Sequence, residues 1–135
     1  MSFVDRYGPW ALIAGASEGT GRSLARRIAV GGVNCILLAR REALLTALAD
    51  EIRAESGVQC MTAAVDLASP DALEQIMAAA GSREVGLFVS NAGADANGSR
   101  FLDRDLGTWL KLVQRNVTTT LQCCRQFAPS MRARR

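Results

Sequence analysis

Hydrophobic positions along this 135-residue chain fall into two alternating patterns. Short runs that are apolar at nearly every position predict strands over 10–14, 33–39, 58–65 and 85–89. Between these runs apolar residues recur at helical spacing, which predicts helices over 19–30, 41–55 and 105–127. A further helix is predicted from Ser69 as its capping residue, Pro70 at its first position and Gly81 after its end. Strands that are apolar throughout and separated by helices indicate an α/β fold whose parallel sheet is covered on both faces.

Right-handed crossovers between such strands produce a Rossmann-like, doubly wound sheet. Neither a repeat nor a linker divides the chain, so the sequence predicts one domain over 1–135. The pattern ends after its fourth strand–helix unit, whereas a full dinucleotide-binding sheet usually has about six strands. We therefore expect a truncated sheet, in which the strand over 85–89 is either an exposed apolar edge or is covered by a partner chain.

Composition and charge narrow the classes of function. The chain is 49% hydrophobic and 21% charged, which excludes a disordered polypeptide. It has no histidine, so imidazole chemistry is excluded from these residues, and its net charge of +3 is too small to favour nucleic acid. No apolar run approaches the roughly 18 residues that span a bilayer, and the first residues do not resemble a signal peptide. We therefore expect a cytoplasmic protein that does not contact membranes.

The four cysteines suggest neither a disulfide framework nor a metal site. Cys35 and Cys60 stand inside apolar runs, and Cys123 and Cys124 are adjacent in a helical pattern. There is no Cys-x-x-Cys pair and no histidine to complete a zinc site. All four are expected to be buried free thiols in a reducing compartment.

The turn after the first predicted strand carries the pattern Gly-x-x-x-Gly-x-Gly, formed by Gly15, Gly19 and Gly21. Glycine permits a sharp turn and lets the backbone approach a pyrophosphate without an intervening Cβ. The helix that follows directs unpaired N–H groups and a partial positive charge toward bound phosphates. This placement favours a dinucleotide site over the alternative, which is a glycine-rich turn that binds nothing.

The end of the second predicted strand indicates which dinucleotide would bind. An acidic residue about 20 positions after the glycines typically binds the ribose 2′-hydroxyl of NAD. Here Arg40 and Arg41 stand instead. Guanidinium groups pair with a 2′-phosphate and stack on adenine, so the sequence favours NADP. The alternative is that the two arginines only end a strand and begin an exposed helix.

Polar residues also follow the third and fourth predicted strands. Asp66, followed by Leu67, could accept a hydrogen bond from an adenine amino group or could cap the next turn, and the sequence does not distinguish these interpretations. Asn91, Ala92 and Gly93 follow the fourth strand, at the sheet edge where ligands bind in such folds. Small residues and an amide there suit close approach of a cofactor, although a plain turn would look similar.

The glycine pattern, Arg40, Asp66-Leu67, Asn91-Ala92-Gly93 and Asn116 in the last helix together resemble the short-chain dehydrogenase/reductase family in order and spacing. The resemblance covers nearly all 135 residues, which correspond to the first half of a typical member. The segments 7–11 and 84–87 are similar to the hydroxysteroid dehydrogenase and long-chain ketoacyl reductase branch.

The resemblance implies a role for each matching residue. The phosphates and the adenosine ribose would be bound by Gly15, Ser17, Glu18, Gly19, Thr20 and Gly21. Arg40 would hold the 2′-phosphate with help from Arg41, and adenine would be flanked by Asp66 and Leu67. The ribose on the nicotinamide side would be lined by Asn91, Ala92 and Gly93. Asn116 would be the catalytic helix asparagine, which distorts its helix and holds a water of the proton relay.

The resemblance further implies an NADP-dependent oxidoreductase that transfers hydride between NADPH and a ketone or secondary alcohol. The family's catalytic serine and its Tyr-x-x-x-Lys have no counterpart here, because the one tyrosine, Tyr7, and the one lysine, Lys111, stand elsewhere. We therefore expect the cofactor-binding half of such a reductase, inactive as this chain alone. The alternatives are a non-catalytic nucleotide-binding or self-associating module and a methyltransferase-like protein with a similar glycine turn. Self-association is expected, because in the family the helix that corresponds to 105–127 packs between subunits.

Overall fold

The computed structural model describes residues 1–17, 19–93 and 98–134. Within those ranges the strands are β1 (Trp10–Ala14), β2 (Asn34–Ala39), β3 (Cys60–Ala64) and β4 (Val85–Ser90). The α-helices are α1 (Phe3–Tyr7), α2 (Gly19–Val30), α3 (Glu42–Ser56), α4 (Ala72–Ala80), α5 (Leu106–Val113) and α6 (Thr119–Ala133). A 3₁₀ turn spans Phe101–Asp103, and a π-helical turn, Gln114–Thr118, joins α5 to α6.

The strands form a parallel sheet in the order β3-β2-β1-β4. Ile13 of β1 is in register with Leu37 of β2 on one side and with Val89 of β4 on the other. The chain therefore moves outward from β1 through β2 and β3, and then returns to the opposite side of β1. This topology confirms the predicted α/β, Rossmann-like fold. In the part of the chain that the structure describes, β4 has a strand neighbour on one side only, as predicted for an edge.

Alternate residues of each strand pack against helices on opposite faces of the sheet. Ala11 and Ile13 of β1 belong to a buried cluster with the apolar faces of α2 and α3. Leu12 belongs to the cluster on the other face, which includes Ile76 of α4 and Phe127 of α6. Because both faces of β1 are buried, its sequence is apolar at every position.

The predicted start of the helix that follows β3 was wrong. The helix, α4, begins at Ala72, and Pro70 lies in the turn before it. The Ser69 hydroxyl donates to the Asp71 carboxylate instead of capping the helix, and the amide of Ala72 donates to the Ser69 carbonyl at 3.1 Å. These bonds close a separate turn, which delays the helix by two residues. The strands β2 and β3 are also shorter than predicted.

The last predicted helix is distorted around Asn116, as the resemblance implied, and it extends further than expected. The amide of Thr119 donates to the carbonyl of Gln114, five residues earlier, which defines the π-helical turn. The side chain of Asn116 donates to the Leu112 carbonyl at 2.9 Å. Beyond this turn α6 continues through Pro129 to Ala133.

A short first helix was not predicted. In α1 the Ser2 hydroxyl accepts from the Asp5 amide at 3.2 Å, and the Asp5 carboxylate accepts from the Ser2 amide at 2.9 Å. This reciprocal capping is visible in the sequence as Ser-x-x-Asp, but only five residues follow the cap.

The cysteine prediction was correct for three residues and wrong for one. All four cysteines are free, and Cys35, Cys60 and Cys123 are buried, whereas Cys124 is exposed. Adjacent residues on a helix point in different directions, so burial of Cys123 turns Cys124 toward solvent.

No helix in the described ranges is both long enough and apolar enough to cross a membrane.

Candidate functional site

The candidate site lies where the strand order reverses, at the carboxyl ends of β1 and β4. These strands are neighbours in the sheet, but their following segments leave toward different layers, and this divergence opens a crevice. The crevice has a volume of about 350 Å³. Its lining comes from the ends of all the strands described above and from the π-helical turn: Gly15, Ser17, Ala39, Arg40, Arg41, Val65, Leu67, Asn91, Ala92, Gly93 and Arg115.

The glycine-rich turn forms one wall of this cleft. Gly15 has a φ of +79°, a conformation that favours glycine, and its amide donates to the Leu38 carbonyl at 2.8 Å. A Cβ on Gly15 would lie 2.6 Å from the backbone nitrogen of Ala92. The turn therefore presses directly on the segment that follows β4, and glycine is required for that approach.

The start of α2 is held against the same turn. A Cβ on Gly21 would collide with the Gly15 carbonyl oxygen and would lie 2.7 Å from Nδ2 of Asn91. Gly19 and Thr20 are the first residues of α2, so by helix geometry their amides have no partner within the helix. These amides and the positive end of the helix dipole give this corner of the site an affinity for anions. Glu18, which the sequence also assigned to the site, lies outside the described residues.

Three arginines contribute to the described lining of the cleft. Arg40 is exposed directly after β2, and Arg41 occupies the N-cap position of α3 without a side-chain capping bond. Arg115 lies on the lining as well. None of the described lining residues is a carboxylate. The cleft is therefore suited to a ligand with several negative charges.

Asp66 and Leu67, the two residues that the sequence assigned to adenine, lie in different surroundings after β3. Leu67 is 6% exposed and lines the cleft, where it supplies an apolar surface. Asp66 is exposed and lies outside the lining, and its Oδ1 accepts from the Ala68 amide at 3.0 Å. Of the two interpretations that the sequence left open for Asp66, the structure contains the capped turn. Its predicted contact with adenine stays a prediction.

The residues after β4 meet the π-helical turn. Gly93 has a φ of +140°, and a Cβ there would lie 2.9 Å from Cγ of Asn116. The structure therefore places Asn116 next to Gly93, which lines the cleft. The catalytic role that the resemblance implied for Asn116 stays a prediction.

The position of Arg115 on the cleft lining was not predicted from the sequence. An arginine in the middle of a helical pattern is usually solvated, and no spacing rule distinguishes this one. Arg115 lies in the π-helical turn, which rotates the helix face locally, and it lines the cleft. Tyr7 and Lys111 are absent from the lining, and the expectation that neither matches a catalytic position stays a prediction.

Comparison with known proteins identifies a family and two similar enzymes. Residues 9–135 match the short chain dehydrogenase family. A 7beta-hydroxysteroid dehydrogenase of Collinsella aerofaciens is 33% identical over 127 residues, which cover 94% of this chain and 48% of that protein. A very-long-chain 3-oxoacyl-CoA reductase of Laccaria bicolor is 34% identical over 132 residues, covering 96% of this chain and 39% of the reductase.

Solved structures extend the likeness to the fold, and one of those structures holds a bound cofactor. A structure reported for the stereoselectivity of 7beta-hydroxysteroid dehydrogenase superposes with a TM-score of 0.92 at 32% identity, covering 98% of this chain and 51% of that one. A short-chain dehydrogenase from Sphingobium yanoikuyae in complex with NADPH superposes with a TM-score of 0.82 at 32% identity, covering 90% and 48%. The chain spans about half the length of these relatives or less.

Proposed function

This chain belongs to the short-chain dehydrogenase family, and from that premise we propose that its cleft binds NADP(H) as the cofactor-binding half of a reductase. The resemblance to hydroxysteroid dehydrogenases and long-chain ketoacyl reductases is confirmed by the relatives described above. For the whole protein we propose hydride transfer between NADPH and a ketone or secondary alcohol.

The proposal rests on one observation, which is that the glycine turn and two arginines line the same cleft. Gly15 and Gly21 let the turn pack closely on neighbouring backbone, whereas a Cβ on Gly19 would meet no atom of the described residues within 4 Å. A turn that is open at Gly19 fits a pyrophosphate approached by backbone. Arg40 and Arg41 lie across the ends of β1 and β2 from that turn, where the 2′-phosphate of NADP would be placed. The NADPH in a neighbour of the same fold supports this assignment.

The residues after each strand would bind a different part of the cofactor. Ser17 and the amides of Gly19 and Thr20 would bind the pyrophosphate side, and Leu67 would contact adenine. Asn91, Ala92 and Gly93 would bind the ribose next to nicotinamide. Asp66 and Glu18 would complete the adenosine side, as the resemblance implies.

Bound NADPH supplies the hydride for the family's reaction. The residues of this chain would bind and orient the cofactor, and Asn116 would hold a water of the proton relay, as the resemblance implies. Proton transfer in the family depends on a tyrosine activated by lysine, and no Tyr-x-x-x-Lys occurs in these 135 residues. We therefore propose that the 135 residues by themselves bind nucleotide without reducing a ketone.

A second candidate function is self-association through an exposed apolar stripe. The stripe runs along α5, the π-helical turn and the start of α6, and its members are 49% to 65% exposed: Leu106, Leu110, Val113, Val117 and Leu121. Contiguous exposed apolar surface of this kind usually marks an interface. We propose a second copy of the chain as the occupant, since the family packs this helix between subunits.

Free, buried thiols favour a reducing compartment, and we propose the cytoplasm.

Calorimetric titration with NADPH and NADH tests the cofactor assignment. The wild-type chain should bind NADPH more tightly than NADH, and Arg40→Ala should remove most of that difference. Arg27→Ala is the matched control, because Arg27 is exposed on α2 and lies outside the cleft lining. Equal affinities for the two nucleotides, or loss of the preference in both variants, would contradict the assignment.

A further inference from the structure

We propose that Arg115 is a specificity-determining residue of the cleft, which binds the 2′-phosphorylated adenosine end of NADP from the wall opposite Arg40. This inference rests on the proposed function and adds to it a contact from the helix that follows β4. No motif in the sequence assigns Arg115 a role.

The two arginines reach the cleft from opposite layers of the fold. Arg40 lies in the turn that leads into α3, and α3 packs on one face of the sheet. Arg115 lies in the π-helical turn that leads into α6, and α6 packs on the other face. Both nevertheless line the same crevice at the carboxyl edge of the sheet. A ligand in that crevice would therefore lie between two cationic side chains.

A hydrogen bond at the start of α6 indicates which end of the cleft Arg115 faces. Thr119, which is 3% exposed, donates from its hydroxyl to the carbonyl of Leu67 at 2.8 Å. Residues four apart on a helix project from nearly the same side, so Arg115 shares the side of Thr119 and Leu67. Asn116, one residue further, projects toward Gly93 instead. The two adjacent side chains would thus face different ends of a bound nucleotide.

The chemistry of this end of the cleft fits a phosphorylated adenosine. Leu67, Val65 and Ala39 are buried and give an apolar floor on which a purine ring can lie. A half-buried arginine keeps its aliphatic stem against such a floor while its guanidinium pairs with phosphate or stacks on the base. A guanidinium on each side of the base would hold the 2′-phosphate in a fixed position, which a single exposed arginine does less well.

Titration with 2′,5′-ADP separates this contact from those at the rest of the dinucleotide. In Arg115→Gln the affinities for 2′,5′-ADP and NADPH should fall by similar factors of about ten, as expected for one charge-assisted contact. Arg115→Lys should recover only part of that loss, because lysine lacks the planar fork. The dependence of NADPH affinity on salt should also be shallower in Arg115→Gln, a change that a merely structural role would not produce.

Arg125→Gln is the matched control, since it removes the same charge from an exposed position on α6 outside the cleft. Circular dichroism and the unfolding midpoint of each variant establish that the fold is retained. Affinities in Arg115→Gln within about twofold of those in Arg125→Gln would overturn the proposal. Weaker binding of NADPH with unchanged binding of 2′,5′-ADP would also overturn it, because the guanidinium would then act elsewhere. If the wild-type chain bound neither nucleotide, the proposed function would fail with it, whereas an effect of Arg40→Ala without one of Arg115→Gln would refute only the role of Arg115.

Discussion

The side-chain amide of Asn91 donates a hydrogen bond to the backbone carbonyl of Gly15 at 3.3 Å. The two residues are 76 positions apart, and each directly follows the strand that forms one side of the switch point. The backbone amide of Asn91 donates a second bond, to the carbonyl of Ala14 at 3.0 Å. These bonds join the glycine turn to the end of β4.

Asn91→Asp should therefore weaken both the fold and nucleotide binding. The substitution replaces the donor with a carboxylate that faces the Gly15 carbonyl, and loss of the bond costs about 1 kcal/mol in the free energy of unfolding. The added negative charge also opposes phosphate. Chemical unfolding and NADPH titration measure the two effects. Asn34→Asp is the control, because Oδ1 of Asn34 accepts from the Gln59 amide and aspartate keeps that bond. Equal effects of the two substitutions would contradict the account.

Gly21→Ala should disrupt the turn, because its methyl group would collide with the carbonyl oxygen of Gly15. Overpacking of this kind costs about 1–3 kcal/mol, and the displaced turn should bind NADPH poorly. Gly107→Ala in α5 provides the comparison, since the nearest atom to its new Cβ would be 3.7 Å away. That change should leave stability unchanged or raise it by up to about 1 kcal/mol through helix propensity. Thermal unfolding of both variants checks the contrast.

Thr119→Val should lower the free energy of unfolding by about 1–3 kcal/mol, because the buried Leu67 carbonyl loses its side-chain donor while the shape of the side chain is retained. Thr119→Ser keeps the hydroxyl and should be less destabilised. The valine variant should also bind 2′,5′-ADP more weakly, since the bond positions the wall that carries Arg115. Urea unfolding midpoints decide the point, and valine and serine variants of equal stability would count against a role for this bond.

Stability should fall as pH rises above about 9. Burial raises the pKa of Cys35 to about 12, and those of Cys60 and Cys123 to about 11, from ordinary values near 9. Above pH 9 the unfolded chain loses thiol protons that the folded chain keeps, so the unfolded state binds fewer protons and is favoured as pH increases. Below about pH 8 these thiols should contribute no slope.

Unfolding midpoints at pH 7.5, 9 and 10.5 test this dependence, and a variant with alanine at Cys35, Cys60 and Cys123 should show a smaller decrease. Thiol labelling gives an independent check. At pH 8 the exposed Cys124 should react rapidly, and the three buried thiols should react only on unfolding. Rapid labelling of more than one thiol in the folded chain would contradict the burial described above.

Leu110→Lys should reduce self-association if a second copy covers the apolar stripe. Leu110 is 56% exposed at the middle of α5, and a charge there would be buried without a partner in the assembly. Val30→Lys, at an exposed position on α2, should have no such effect. Sedimentation velocity over a range of concentrations measures the change. A monomeric wild-type chain, or an assembly that persists in Leu110→Lys, would refute this interface.

The sequence predicted the fold well because both faces of the sheet are buried. An uninterrupted run such as that of β1 has few other stable arrangements, and the helices between the runs leave only parallel topologies. Element ends were less predictable, since they depend on local competition for hydrogen bonds. Ser69 illustrates this, because its hydroxyl binds Asp71 instead of capping the helix.

The candidate site was predictable where a residue type is required by backbone geometry. Gly15 and Gly21 could be chosen because only glycine permits their approach to neighbouring backbone. Arg115 could not be found in this way, since its place depends on a π-helical turn whose register is set by hydrogen bonds of Asn116 and Thr119. Such a turn changes which side chains face the sheet without changing the apolar periodicity enough to be seen.

A crystal structure of this chain with NADPH tests the central claim most directly. The account predicts the dinucleotide across the carboxyl ends of β1 and β4, with its pyrophosphate against the Gly15–Gly21 turn and its 2′-phosphate within hydrogen-bond distance of Arg40. Nucleotide bound elsewhere on the molecule, or a 2′-phosphate that points away from Arg40 into solvent, would contradict it.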